Sequence, residues 1–352
     1  MLVLRAGSGL GNSLIRSLKA GDRSLFIVGC HDDRFVLRKS LADRNYLVPE
    51  LWQREFPRAL RRVAQAERID FVLPTNDADV LRIARLRAVL PCRTFLPRLS
   101  VIRRCQDKYA LTEFLRRRGI PAPLTYPVAS LRGIDALFRR LAPRDRLWCR
   151  IRWGSSSFGA IPVTNPDQVR GWIRYFQEMR RVPARSFTLS EYLPGRDYCV
   201  QCLWKDGAPV LTKMAERLSY IDNGGPSGVS SMASLAKTVF VPEAIVTAER
   251  AIWALDPKAS GAFFLDMKES EDGRPCITEI NAGRFASMTN LHDLPGAHNM
   301  SVTYVRLALD EKVKIRNTYD FAEDYYVVRS VDTQPDVIHA DQLFEAIEDA
   351  TG

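Results

Sequence analysis

The sequence predicts an α/β protein, with a parallel sheet wrapped by helices near the start of the chain and antiparallel strands after it. Three observations carry this. Over residues 1–100, short apolar runs alternate with amphipathic helical stretches, the pattern of a parallel sheet. Residues 147–213 instead hold strand-like runs joined by short links, the pattern of antiparallel pairs. Finally, "FFLDMKESEDGRPCITEIN" places two strand-like runs on either side of Asp272-Gly273, a strong hairpin signal.

Taken in order, "LVLRAGSGLGNSLIRSLKAG" reads as strand, glycine turn and helix. Gly7, Gly9 and Gly11 predict a tight turn into a helix N-terminus, where an anion could sit. It is not a dinucleotide fingerprint, because Asn12 stands where GxGxxG needs its last glycine. "SLFIVGCHDD" is a second strand, and "IDFVLPTNDADVLRIARL" repeats the strand-to-helix step. "CQDKYALTEFLRRRGIPAPLTYP" is a helix, a glycine stop and an extended proline-rich segment. Residues 147–163 form a hairpin, "LWCRIRW" and "GAIPV", around "GSSSFG". "TLSEYL", "DYCVQCLW" and "APVLTKM" are further strands, and the helix "PEAIVTAERAIWAL" precedes the last strand pair. Residues 311–352 read as a small tail with one strand, "DYYVVRSV", and a terminal helix.

Composition narrows the function classes. The 352 residues are 46% hydrophobic and 26% charged, ordinary for a folded chain with two or three lobes. No apolar run is long enough for a membrane span, and the start of the chain lacks a signal-peptide pattern. The seven cysteines include one CxxC, Cys199 and Cys202, but no second pair to complete a zinc site. Three apart in a strand, they point to opposite faces. Reduced thiols in a cytoplasmic protein are the expectation. The four histidines, 31, 292, 298 and 339, show no metal-ligand spacing. Charge is lopsided: residues 1–150 carry 30 Lys+Arg against 14 Asp+Glu, whereas the rest carries 21 against 27. A basic half invites a nucleic-acid reading. Without a zinc-finger spacing or a basic-aromatic signature, arginines on solvated helix faces, as in "LRRR" at 115–118, explain it better.

The hairpin raises the chemical question. With Asp272-Gly273 as a two-residue turn, paired residue numbers sum to 545, so Glu271 faces Arg274, Ser270 faces Pro275 and Asp266 faces Glu279. Pro275 then falls in a non-bonded pair, where its missing N–H costs nothing. Asn281 shares a face with Glu279 by period-two alternation. Two carboxylates and an amide oxygen thus converge, and opposed like charges destabilise a sheet. Either a hard divalent cation, Mg²⁺ or Mn²⁺, or a neighbouring Arg or Lys would remove that penalty.

At this point the sequence resembles the ATP-grasp superfamily, which includes biotin carboxylase, the carbamoyl-phosphate synthetase large subunit and D-alanine–D-alanine ligase. "D…EIN…R" resembles its metal-binding hairpin, which implies metal on Asp266, Glu279 and Asn281 and places Arg284 near the transferred phosphoryl group. "DKYALTEFLRRRGIPAPLT" resembles the entry segment whose lysine, here Lys108, reaches the nucleotide phosphates. "CRIRWGSSSFGA" resembles the lid strand and phosphate loop; Arg150 stands where the family usually has Lys, and Ser155, Ser156, Ser157 and Gly159 fall in the loop. "SEYLPGRDYCV" resembles the hinge that holds adenine through backbone groups of Glu191, Tyr192 and Leu193, with Asp197 on the ribose. The family's adenine-facing Glu falls at Ser190, and Arg284 lies one residue further from Asn281 than in many relatives, so Gly283 reads as an insertion and bulge. The implied organisation is a Rossmann-like lobe over 1–100, an ATP-grasp fold over 101–310 with its lid at about 125–190, and a tail over 311–352 packed on the core.

The implied chemistry is an ATP-dependent ligase. A small-molecule carboxylate is activated as an acyl phosphate, and an amine or similar nucleophile then displaces phosphate. Arg284 and Arg217 are the candidate cations for the bound carboxylate. A triphosphate of roughly four negative charges needs cations from several elements, which Lys108, Arg150, Arg284 and a metal would supply. The flexible stretch "NGGPSGVSS" at 223–231 is expected to be a substrate- or phosphate-side loop, or a plain connection. Rival readings are a bicarbonate- or carbamate-activating enzyme, a degenerate ATP-binding regulator and a basic nucleic-acid-binding protein. A homodimer is open, and the acid and nucleophile are not legible in the sequence.

Overall fold

The computed structural model describes residues 1–154, 157–221, 232–287, 289, 293–320, 322–330 and 336–342. The strand–helix alternation at the start builds a four-stranded parallel sheet from β1 (Leu2–Leu4), β2 (Val28–His31), β3 (Arg44–Leu47) and β4 (Val72–Leu73), in the order β3-β2-β1-β4. The order reverses between β1 and β4, and in open parallel sheets the crevice at the carboxyl ends of such strands is where ligands and functional side chains gather. The glycine turn after β1 leads into helix Gly9–Gly21, with Ser8 accepting from the Gly11 amide as its N-cap. The Gly7 amide donates to Asn12 Oδ1, so the amides of Gly7 and Gly11 are both met by the chain's own side chains.

The antiparallel strands form two sheets. A four-stranded one, β5-β8-β6-β7, is made of β5 (Thr125–Pro127), β6 (Leu147–Ile151), β7 (Ile161–Val163) and β8 (Phe187–Glu191). Helices Ile134–Leu141 and Pro166–Arg180 cover it, and its core holds Cys149, Ile151, Ile173, Phe176 and Phe187. The second sheet is built on β9 (Asp197–Lys205), β10 (Ala208–Tyr220), β11 (Ala233–Thr238), β12 (Gly261–Glu269) and β13 (Pro275–Ala282). The tail adds β14 (Tyr325–Val328) and β15 (Asp336–His339), giving the order β13-β12-β9-β10-β11-β14-β15. The tail thus contributes two strands where the sequence suggested one; the expected terminal helix lies outside the described residues.

Central strand β9 shows the alternation. Tyr198, Val200, Cys202 and Trp204 pack with helix Pro242–Leu255 on one face, while Cys199 packs against Ala215, Phe264 and Ala286 on the other. The CxxC cysteines therefore bury on opposite sides of the sheet, and burial pushes each thiol up to about 12. The expected single helix after residue 105 is two helices, Leu99–Gln106 and Lys108–Arg116. Asp107 leaves helical geometry between them, and its side chain accepts from the Ala110 amide as the N-cap of the second. Among the described residues no helix is long and apolar enough to cross a membrane.

Candidate active site

The β12–β13 hairpin is the foundation of the site, and its register departs from the sequence reading in an instructive way. Its turn has three residues rather than two: the Gly273 amide donates to Ser270 O, the Ser270 amide donates to Arg274 O, and only Gly273 has positive φ (+77°). Pro275 therefore pairs with Glu269 rather than Ser270. It still sits in a non-bonded position, because the N–H and C=O of Glu269 point away to Arg196 and Gly195. The one-residue slip is undone further along. Met267 pairs with Ile277 and Asp266 with Glu279, so Thr278 is the extra residue of a β-bulge. The two irregularities cancel, and Asp266, Glu279 and Asn281 come together in the expected register.

The bulge also ties the β5-β8-β6-β7 sheet to the hairpin. Thr278 Oγ1 donates to Asp266 O at 3.0 Å, and Thr278 O accepts from Arg150 Nη2 of β6 at 3.0 Å, which seats that arginine over the hairpin. Arg150 is only 8% exposed, and among the described residues it forms no ion pair and its Nε has no hydrogen-bond partner. Burial pulls its guanidinium down, against the opposing pull of Glu279 and Asp266. A buried cation with an orphaned donor has its solvation replaced only in part, so it is primed for an anion.

Cations reach the carboxylates from other directions. Lys108, the first residue of its helix, lies 3.5 Å from Glu279 Oε2 and also donates to Gly154 O. Arg217 on β10 bridges Asp266 and Asp197, lying 2.8 Å from the latter. Burial works against its charge, but the two carboxylates outweigh it and hold the guanidinium well above its ordinary range. Asn281 Nδ2 donates to Asp266 Oδ2 at 3.1 Å, and Asn281 Oδ1 accepts from Arg284 Nη2 at 2.5 Å. Arg284 in turn grips Asp77 with Nε (2.6 Å) and Nη2 (3.3 Å). Gly283 precedes it with φ +99°, but its amide donates to Ala262 O at 2.7 Å in the register of the Phe263–Ala282 pair, so the bulge expected there is not formed.

The remaining expected contacts are placed as follows. Ser155, Ser156 and residues 223–231 lie outside the described residues. Ser157 and Gly159 both take left-handed φ (+56° and +72°) at the far side of the loop, with Gly159 O accepting from Trp172 Nε1. Asp197 accepts from Tyr220 as well as Arg217. At the end of β8, Glu191 accepts from the Leu124 amide (2.8 Å) and pairs with Arg144 (2.5 Å). A cavity of about 470 Å³ is bordered by Glu191, Tyr192, Leu193, Pro121 and Cys276, and not by Lys108, Arg150, Asp266 or Glu279.

Three contributors were not legible as site residues. Asp77 sits in the first turn of helix Asp77–Leu86, just past the carboxyl end of β4 at the reversal of strand order. The "TND" before an amphipathic run signals a helix start, but nothing signals a partner 207 residues away. Gln201, fully buried in β9, donates to Phe263 O and accepts from the Ala286 amide, fixing the loop after Arg284. Thr278 is the third; only a bulge reveals it.

The architecture and this hairpin define the fold class: the chain has the ATP-grasp fold, and solved enzymes of that fold match over 93% of its length. It is similar to the carboxyaminoimidazole ribonucleotide synthase of Aspergillus clavatus complexed with ATP (TM-score 0.70, 16% identity, 81% of that chain covered). It is also similar to the L-amino acid ligase of Bacillus licheniformis (TM-score 0.69, 12% identity, 78% of that chain). A third likeness is the biotin carboxylase domain of Hydrogenobacter thermophilus 2-oxoglutarate carboxylase, in complex with MgADP, ADP and bicarbonate (TM-score 0.71, 13% identity, 73% of that chain). No protein-family description and no curated protein matches the sequence.

Proposed function

We propose that this protein is an ATP-dependent ligase that activates a small-molecule carboxylate as an acyl phosphate for attack by an amine or similar nucleophile. The observation that carries the reading is the pairing of Asp266 with Glu279 beneath Arg150, a buried arginine with an orphaned Nε and no ion pair among the described residues. Lys108 and Arg150 hold the phosphates of ATP, and Glu191, Tyr192 and Leu193 border the base. Asp266, Glu279 and Asn281 form an oxygen-only donor set that fits Mg²⁺ or Mn²⁺, whose role is to neutralise phosphate charge. Arg217 pairs with Asp266, and Lys108 with Glu279, so cations already face the carboxylates.

In the proposed reaction the substrate carboxylate oxygen bonds to the γ-phosphorus as the bond to ADP breaks. The nucleophile then forms its bond to the acyl carbon, and phosphate leaves carrying the former carboxylate oxygen. Arg284, held by Asp77 and Asn281, orients the carboxylate and the phosphoryl group in flight with a planar fork of donors. Positioning and charge stabilisation carry the catalysis, with no covalent enzyme intermediate. The test is a phosphate-release screen of amino acids, other small carboxylates and bicarbonate with Mg-ATP and an amine mixture. Carboxylate-dependent ADP formation is expected. ADP formation with bicarbonate alone would move the reading to a carboxylase-type enzyme, and no stimulated release would overturn it.

A further inference from the structure

Arg150 is not the sole arginine with a buried, unanswered donor among the described residues. Arg329, immediately after β14, is itself half-buried but carries such a donor. Its backbone amide extends the ladder to Ser234 O at 3.0 Å, so the residue is held by main chain. Nε donates to Ala233 O at 2.5 Å and Nη1 to Ser287 O at 3.2 Å. Among the described residues Nη2 is buried without a hydrogen-bond partner, and no carboxylate pairs with the group. Burial and the neighbouring Arg217 charge both pull its guanidinium down.

The surroundings say what would satisfy it. Ser287 O also accepts from Ser13 Oγ of helix Gly9–Gly21, and Ser287 follows the Arg284 loop that Gln201 braces. Arg329 therefore stands where the first lobe, the carboxylate hairpin and the tail strand meet. Arg217 nearby is already paired with Asp197 and Asp266. Two anchored nitrogens and one unanswered nitrogen on a charged, half-buried group make a preset oxyanion receptor.

We infer that Arg329 binds a second, non-reacting anionic group of the acid substrate, a carboxylate or a phosphate ester, so that this ligase selects acids with at least two negative groups. The inference rests on the proposed ligase reading, because it takes the reacting carboxylate to sit at Arg284. A monoacid would leave Arg329 unanswered and bind more weakly.

The experiment is calorimetric titration of succinate and, separately, inorganic phosphate into the full chain, with and without Mg-ADP. Wild type, Arg329→Gln and Arg329→Lys are compared, each checked for folding by its melting curve. At least one probe should bind wild type, and which one binds identifies the carboxylate or phosphate source. Arg329→Gln should weaken that probe about tenfold or more, the scale of one lost charge-assisted contact, with Mg-ADP affinity unchanged. Arg329→Lys should fall between, because it keeps charge but loses the fork. Failure of both probes to bind wild type, equal binding by Arg329→Gln, or parallel loss of Mg-ADP would overturn the assignment. Arg329-dependent anion binding with no Mg-ADP binding to any variant would uphold the subsite while refuting the nucleotide reading.

Discussion

Replacing Asp77 with asparagine should both destabilise the chain and slow its chemistry, and the two effects are separable. Arg284 is 11% exposed at its side chain, and Asp77 is 24% exposed. The substituted amide would keep an acceptor for Nε but remove the charge opposite a nearly buried guanidinium. Breaking a fully buried pair costs about 3–5 kcal/mol, and the partial exposure of Asp77 argues for the lower end or slightly below, about 2–3 kcal/mol. With an unfolding entropy of about 2.1 cal/mol/K per residue, a chain of this length should lose about 3–4 °C in melting temperature. Arg284 would then be steered by Asn281 Oδ1, Phe285 O and one neutral acceptor at position 77, so turnover should fall about tenfold while ATP affinity stays within about twofold. The assays are differential scanning calorimetry and steady-state ADP release on the same preparation. A double-mutant cycle with Arg284→Lys isolates the pair. A melting temperature within about 1 °C of wild type, with unchanged turnover, would show that the pair is screened by solvent and that Arg284 is positioned by something else.

Lys108→Ala and Arg150→Ala should weaken ATP more than adenosine, since both are assigned to phosphate; equal losses by calorimetry would mean they act through structure. Glu279→Gln should cut turnover about tenfold or more under limiting Mg²⁺ while its melting curve moves little, and wild-type turnover there would sink the metal assignment. Asp320 tests electrostatics away from the site. Burial raises its carboxyl, but Lys213 at 3.1 Å and the amides of Ala297 and His298 outweigh that and hold it below its ordinary value. A depressed folded pKa adds stability above the unfolded value, near 4, and that stability is lost as pH falls through the folded value. Asp320→Asn should therefore melt below wild type at pH 7, with the gap closing as pH drops below about 4; parallel curves would contradict the linkage.

How much of this was written in local sequence can be judged residue by residue. Strand–helix alternation and the Asp272-Gly273 turn gave the sheets because they depend on neighbours in sequence. The Asp266–Glu279 pairing was anticipated through two errors of opposite sign: the turn takes one more residue than assumed, and Thr278 bulges to restore the count. Period-two reasoning cannot see a bulge, since any residue fits one where the fold requires a twist. Arg217 and Arg284 read as free cations because their partners, Asp197, Asp266 and Asp77, are brought in by tertiary folding. Gln201 hid inside an apolar run, and its amide became informative only when Ala286 was seen to need an acceptor. Arg329 falls in the strand run "DYYVVRSV", and no local pattern there reports that one of its nitrogens is buried without a partner among the described residues.

The most direct measurement follows oxygen. A carboxylate that supports ADP release is labelled with ¹⁸O in its carboxyl group, turned over with Mg-ATP and the nucleophile, and the released phosphate is weighed by mass spectrometry. Activation through an acyl phosphate places one ¹⁸O in each phosphate, because the attacking carboxylate oxygen leaves with the phosphoryl group. Turnover that yields unlabelled phosphate would mean the γ-phosphoryl group goes to water or another acceptor, and would contradict carboxylate activation at the Asp266–Glu279 hairpin.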